Sequence, residues 1–200
     1  MARDIVVIKI GTGVLTSEKD GTLDEASLVR LVTSISELIA SGVPCVMVSS
    51  GAVGAGVSAL NLGGYPEDIA SRQACAAVGQ TRLMHAYENL FQKFRLNVAQ
   101  ILLTASDLDH ERPSNHVMDT LHRLLDEKNI VPIINENDTV AVQELRVGDN
   151  DMLSARVERL LNARMLVMLS TVDGLQSEDG SVITEVQDID SVSGHVRADH

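Results

Sequence analysis

The sequence places one lysine at the end of an apolar run, where a cation could act on an anionic group. Lys9 follows Ile8 and precedes Ile10. On the period-two rule of a strand it shares a face with Ile5 and Val7, where a lysine without a partner is costly. Gly11-Thr12-Gly13 comes next and offers backbone N–H groups to an anion. Two interpretations are open, a phosphate-binding cation and a structural ion pair.

The glycines after Lys9 do not form either of the two common nucleotide-binding loops. In the dinucleotide pattern, Thr16 would stand where a third Gly or Ala is required, and no acidic residue ends the second strand. The sequence contains no Gly-Lys dipeptide, which excludes a P-loop. A nucleotide site in this chain must therefore be of another kind.

Small residues follow the second apolar run, from Ser49 to Gly56. We predict a glycine-rich turn over residues 50–56. Its serine hydroxyls and open backbone, at Ser50 and Gly51, could bind a carboxylate or a phosphate. The same composition is typical of close packing where a strand meets a helix, and this interpretation stays open.

Two polar clusters stand where strands and helices meet. Asn135-Glu136-Asn137-Asp138-Thr139 follows an apolar run, and Gly148-Asp149-Asn150-Asp151 opens a predicted helix. Acids and amides at strand ends suit an ammonium group or Mg²⁺, and Asp151 could also orient a lysine. The alternative is turn chemistry with an N-cap. Two such clusters at one predicted sheet edge favour a site.

Composition narrows the function classes. The net charge is −12 with four lysines and no basic stripe, which disfavours nucleic acid as a partner. The apolar runs are too short to span a bilayer, and the N-terminus does not resemble a signal peptide. The histidines lack zinc spacing and the two cysteines form no CxxC motif, so we expect no protein-ligated metal. We expect a cytoplasmic protein with reduced, buried thiols at Cys45 and Cys75.

The elements that must position these residues alternate between strands and helices. A capping box at Thr22 and Glu25 predicts a helix that Gly42 ends. The other predicted helices cover residues 66–95, 113–128 and 150–163, with an extended excursion at 140–147. The predicted strands cover residues 4–10, 43–49, 98–102, 130–134 and 165–170. This alternation indicates an α/β fold with a parallel sheet covered on both faces, whose ligands bind at the carboxyl ends of the strands.

In its glycine-rich and polar motifs the sequence closely resembles the glutamate 5-kinases of the amino-acid kinase family. The similarity covers nearly the whole chain and is carried by the motifs at residues 9–16, 49–52, 76–80, 135–138 and 148–151. It implies a three-layer sandwich with a mainly parallel central sheet. It also implies one kinase domain over residues 1–200, with an acceptor-binding lobe to about residue 163 and the start of a nucleotide-binding lobe at about 164.

The resemblance implies a role for each motif. Lys9 would bridge and neutralise the transferring phosphoryl group, with Asp151 orienting it. The residues implied to bind glutamate are Ser50, Asp138 and Asn150, with Asn135 shaping the pocket. Those implied at the nucleotide are Ser170 and Thr171, where the family more often has Thr-Asp. The implied reaction uses ATP and Mg²⁺ to form γ-glutamyl phosphate, the first step of proline biosynthesis.

The resemblance also implies partners. Feedback inhibition by proline and a homo-oligomer are expected of the family. The family continues into a glycine-rich loop with a second lysine and often into an accessory RNA-modification-type domain, whereas this sequence stops at His200. Two alternatives therefore stay open: a ligand-binding or regulatory module without turnover, and a kinase for another small carboxylate.

Overall fold

The computed structural model describes residues 4–17, 22–140, 149–177, 179–188 and 190. The chain falls into two compact units, residues 1–169 and 170–200. The strands of the first unit are β1 (Val6–Ile10), β2 (Cys45–Ser49), β3 (Asn97–Leu103), β4 (Ile130–Glu136) and β5 (Met165–Leu169). Its helices are α1 (Thr12–Leu15), α2 (Glu25–Ala40), α3 (Ala52–Ala59), α4 (Ile69–Phe91), α5 (Ala105–Asp109), α6 (Glu111–Asp126) and α7 (Asp149–Leu161), with a 3₁₀ turn at Gln92–Phe94.

The five described strands form one parallel sheet in the order β3-β4-β2-β1-β5. Strand β1 lies in the interior of the sheet, because it pairs with both β2 and β5. Its Lys9 lies opposite Val48 on β2 and Met168 on β5. Since all strands run in one direction, their carboxyl ends share one edge. The predicted parallel sheet is confirmed.

Alternate residues of the strands pack on opposite faces, which makes three layers. Ile8, Ile10 and Met47 pack with α2 and α4 on one face. Ile5, Val7 and Val48 pack with α6 and α7 on the other. The sandwich with helices on both faces is therefore confirmed, and it puts Lys9 on the α7 side, as the period of two predicted.

The N-cap of helix α2 lies two residues later than predicted. Asp24, not Thr22, is the N-cap, and its carboxylate accepts a hydrogen bond from the backbone N–H of Ala26 at 3.1 Å. The predicted Thr22–Glu25 capping box is wrong, because aspartate competes well for the same orphan N–H groups. The helix ends at the Ser41 cap, directly before Gly42.

The segment predicted as a glycine-rich turn is mostly helical. Only Gly51 has a left-handed conformation, with φ +96°, and it caps α3. A Cβ at Gly56 would lie 1.9 Å from the Cys75 carbonyl oxygen, so α3 and α4 pack with backbones in contact. The packing interpretation therefore holds at Gly56. The predicted excursion at 140–147 lies outside the described residues from position 141 onward.

The second unit carries a short antiparallel bridge between Gln176 and Val182. Its turn is closed by Asp179, which accepts hydrogen bonds from the Ser177 hydroxyl and from the Ser181 backbone N–H. These bonds lower the pKa of Asp179 to about 2. In the described part of the chain, no helix combines the length and hydropathy needed to span a bilayer.

Candidate active site

Lys9 and Asp151 form an ion pair at the carboxyl edge of the sheet. Lys9 is 8% exposed, and its Nζ contacts Oδ1 of Asp151 in the first turn of α7. The Asp151 side chain is 54% exposed, so one end of the pair is solvated. The predicted partner of the lysine is therefore present. A pair at an accessible edge remains compatible with both a structural and a catalytic role.

Glycine at position 11 keeps space open beside this lysine. A Cβ at Gly11 would lie 3.3 Å from Lys9 Nζ and 3.3 Å from the Leu169 carbonyl oxygen. The Gly11 N–H itself donates to that carbonyl at 3.0 Å, and so it belongs to the contact between β1 and β5. Thr12, half-buried, begins the short helix α1.

The side-chain amide of Asn150 contacts two of the other predicted acceptor residues, Ser50 and Asn135. It is 5% exposed, and its Nδ2 donates to the Ser49 carbonyl oxygen at 2.9 Å and to Ser50 Oγ at 2.9 Å. The same nitrogen lies 3.1 Å from Oδ1 of Asn135 on β4. The side chain therefore connects α7 with two strands. Its predicted place beside Ser50 and Asn135 agrees with this geometry.

Asn135 extends the polar cluster towards α4. It is 2% exposed, and its Oδ1 also accepts from the backbone N–H of Glu136 at 2.9 Å. Its Nδ2 donates to Oε1 of Gln80 at 2.8 Å, and Gln80 Nε2 donates to Oε1 of Gln100 at 3.0 Å. Sequence reasoning assigned no role to either glutamine. The signal for Gln80 was its place in the 76–80 motif.

A buried tyrosine holds the end of β2 from the opposite face. The hydroxyl of Tyr87, a residue with no exposed surface, lies 2.9 Å from Ser49 Oγ. Burial raises the pKa of this phenol, and the hydrogen bond to Ser49 opposes the rise in part. The sequence identified Tyr87 only as an inner residue of its helix.

A cavity of about 180 Å³ opens beside the cluster. Its acidic lining residues are Glu136 and Asp138, and none of the other residues that line it is basic. Asp138 lies on a turn in which Thr139 Oγ1 donates to Asn137 Oδ1 at 2.7 Å. The turn interpretation holds at this segment, and the site interpretation stays a prediction, with Asp138 lining the cavity. The residues that line the cavity are Ala52, Ala76, Ala77, Gln80, Thr81, Gln100, Leu102, Glu136, Asn137, Asp138 and Thr139.

The remaining predicted residues are not part of this cluster. Ser170 and Thr171 are exposed and begin the second unit. Within the described residues, no group of three or more His, Cys, Asp or Glu is placed to hold a metal ion. Cys45 and Cys75 are buried free thiols, and burial raises the pKa of Cys45 to about 11.

Comparison with known proteins supports the motif-based assignment. The family model described as "Amino acid kinase family" matches residues 4–195. A glutamate 5-kinase from Geobacter sp. (strain M21) is 49% identical over 174 residues, which are 87% of this chain and 46% of that protein. A glutamate 5-kinase from Clostridium acetobutylicum is 43% identical over 188 residues, covering 94% of this chain and 70% of that protein. The chain spans about half the length of curated relatives such as the Geobacter protein.

A solved structure supports the fold. The structure of Giardia carbamate kinase superposes with a TM-score of 0.57 at 16% identity, covering 88% of this chain and 75% of that one. At this identity the likeness concerns the fold alone. The predicted similarity to the glutamate 5-kinases is confirmed by the names of the relatives. With a family model matched over residues 4–195, the chain belongs to the amino acid kinase family.

Proposed function

We propose that the protein transfers the γ-phosphoryl group of MgATP to the γ-carboxylate of L-glutamate, giving γ-glutamyl phosphate and ADP as the first step of proline biosynthesis. The observation that carries this proposal is that the Lys9–Asp151 pair and the Asn150 cluster share one sheet edge. The two are joined through the backbone, since Ser50 N–H donates to the Ile10 carbonyl oxygen at 3.1 Å. Lys9 on β1 and Ser50 at the end of β2 are thus close neighbours, which supports a cation beside an acceptor.

The polar cluster suits an amino acid with two carboxylates. The hydroxyl of Ser50, with Gly51 beside it, would meet a carboxylate, and Asn150 would fix that hydroxyl. The acidic cavity would take the α-ammonium group, with Asp138 as its partner. We infer that residues 1–163 form the acceptor-binding lobe and that residues from about 164 begin the nucleotide-binding lobe.

The proposed reaction requires the protein to position the two substrates and to stabilise the charge on the transferring group. A carboxylate oxygen is already nucleophilic, so no general base is needed. MgATP would supply the phosphoryl group, and its divalent ion would offset the negative charge of the phosphates. The donor set fits this group, because Lys9 presents an ammonium beside the space that Gly11 leaves open. Lys9 would stabilise the charge on the transferring oxygens, and Asp151 would hold Lys9 in place. Ser170 and Thr171 are proposed nucleotide contacts.

The decisive experiment is a coupled assay of ADP release with L-glutamate or L-aspartate. We propose to run it on this chain and on one extended to the length of its relatives. Glutamate should support turnover and aspartate far less, because the shorter acid leaves polar groups of the site unpaired. Equal rates, or equal affinities by calorimetry, would remove the glutamate assignment. Glutamate binding without ADP release on both chains would favour a ligand-binding module.

Replacing Asp138 tests the ammonium contact. In Asp138→Ala we expect glutamate affinity to fall roughly 10- to 100-fold, since a hydrogen bond to a charged group contributes about 1.5–3 kcal/mol. The melting temperature should change little, because Asp138 is half-buried on a turn. Calorimetry and thermal melting measure the two effects.

The matched control for Asp138 is Asp119→Ala on the exposed surface of α6. This variant also removes one negative charge, but at a position away from the cavity, and it should leave glutamate affinity unchanged. A lost melting transition with unchanged affinity in Asp138→Ala would assign Asp138 to turn formation instead.

Proline inhibition, homo-oligomeric assembly and a cytoplasmic location stay predictions.

A further inference from the structure

We propose that Gln80 is a positioning residue for the acceptor site, which acts through Asn135 on Asn150. The inference rests on the proposed function for its kinetic test. Three hydrogen bonds run in series from the exposed Gln100 to the buried core of the site. Gln80 donates to Gln100, Asn135 donates to Gln80, and Asn150 donates to Asn135.

The orientations of the Asn135 and Gln80 amides follow from their hydrogen-bond partners. Oδ1 of Asn135 faces two donors, the Glu136 backbone N–H and Asn150 Nδ2, so its Nδ2 must face an acceptor. Gln80 Oε1 is that acceptor, and the Gln100 contact keeps this oxygen turned inwards by binding the amide nitrogen. Gln80 therefore completes the hydrogen bonding of an asparagine that is 2% exposed.

Packing of α4 fixes where Gln80 stands. The preceding residue, Gly79, is so close to α3 that a Cβ there would lie 1.7 Å from the Ala52 carbonyl oxygen. The backbone at this point of α4 cannot move towards or away from the site without disturbing α3. The 76–80 motif thus has two parts, a close helix contact at Gly79 and a polar contact at Gln80.

Removing the Gln80 amide should displace the acceptor residues without removing any of them. A buried amide nitrogen without an acceptor is unfavourable. The Asn135 side chain would then turn towards a new partner in the neighbouring cavity, which Gln80 also lines. That movement would draw Asn135 Oδ1 away from Asn150, whose Nδ2 also orients Ser50 Oγ. The effect should therefore appear in acceptor binding.

The test compares Gln80→Met with Gln73→Met in the chain extended to the length of its relatives. Methionine keeps the length of the side chain and removes its hydrogen bonds. Gln73 lies on the same helix, is also half-buried, and makes no side-chain hydrogen bond to any described residue. Gln80→Met should raise KM for glutamate about tenfold and leave kcat and KM for ATP within about twofold. Gln73→Met should change none of these constants.

Two further measurements separate positioning from general destabilisation. Gln80→Glu keeps an oxygen acceptor for Asn135 and should restore most of the glutamate KM. In a double-mutant cycle with Asn135→Asp, which lacks the donor, the Gln80→Met effect should largely disappear. A wild-type glutamate KM in Gln80→Met, or full additivity in the cycle, would overturn the proposal.

A ligand-free measurement distinguishes failure of this inference from failure of the proposed function. Side-chain amide resonances of Asn135 and Asn150 should shift in Gln80→Met and not in Gln73→Met, whatever the acceptor is. If the wild-type protein does not turn over glutamate, the proposed function fails, and the amide resonances then test the positioning role of Gln80 by themselves. Unmoved Asn150 resonances would then overturn the positioning role, and shifted ones would support it.

Discussion

Lys9→Ala should lower turnover with glutamate and MgATP about 10²–10³-fold, in a chain extended to the length of its relatives. The expected loss follows from removing a preorganised cation aimed at developing charge. The general field of the protein repels polyphosphate, since its 28 acidic side chains outnumber its 16 basic ones. Glutamate affinity should hardly change, because the acceptor contacts are assigned to Ser50, Asp138 and Asn150. Steady-state kinetics and calorimetry measure the two quantities on one preparation.

The ion pair to Asp151 makes the structural alternative testable as well. Lys9→Met keeps most of the apolar stem and removes the charge. It leaves behind an Asp151 that is 54% exposed and therefore solvated, so the free energy of unfolding should stay close to wild type. Turnover should fall as in Lys9→Ala. Lys93→Ala, on the exposed surface, makes the same change of net charge and should leave turnover intact.

The opposite pattern would assign Lys9 to the fold. If Lys9→Ala and Lys9→Met both lower the melting temperature while turnover per folded molecule stays at wild type, the pair with Asp151 is structural. The period of two placed Lys9 on this face from sequence alone, because Ile5 and Val7 had to be buried. It could not decide between the two roles, since both require the same partner.

The elements that the sequence predicted well are those with strong apolar periodicity. All five strands were found, and the α4 face with Leu83, Tyr87 and Leu90 is buried. Ile69 was assigned to the same face but is 45% exposed, because it lies in the first turn, where the helix has not yet reached the sheet-facing core. Periodicity identifies a face and says little about where along the helix that face becomes covered.

Helix α3 was missed because its sequence contains little helical signal. Gly54 and Gly56 each disfavour an isolated helix by about 1 kcal/mol relative to alanine. Its Gly51 cap makes no side-chain hydrogen bond. The helix forms through contact with α4, where small residues let the two backbones meet. A helix that forms through tertiary contacts leaves no local pattern in the sequence from which it could be predicted.

The candidate site was predictable in its charged and amide residues and not in their supports. Asn135, Asn150 and Asp151 stand in dense polar clusters at strand ends, which the topology of a parallel sheet brings together. Gln80 and the Tyr87 hydroxyl lie on a helix that looks uniformly structural in sequence. Their roles depend on which strand α4 crosses and at what distance, and only the packed structure sets that distance.

Gly79→Ala should be one of the most destabilising single-methyl changes in the protein. The added Cβ would lie 1.7 Å from the Ala52 carbonyl oxygen and 2.4 Å from the Gly56 backbone nitrogen. Both neighbours are backbone atoms, so no rotamer change can relieve the overlap and α3 must move. Overpacking of this kind costs about 3 kcal/mol. The higher helix propensity of alanine relative to glycine offsets only about 1 kcal/mol of this cost.

A net loss of about 2 kcal/mol should lower the melting temperature by roughly 4–8 °C for a chain of this length. Gly64→Ala is the matched control, since a Cβ there would meet no atom within 4 Å, and its melting temperature should be unchanged or slightly higher. Because Gly79 precedes Gln80, the variant should also raise KM for glutamate in molecules that remain folded. Equal melting temperatures for Gly79→Ala and Gly64→Ala would show that α3 can separate from α4 at no cost. The close helix contact would then have no part in holding Gln80 against Asn135.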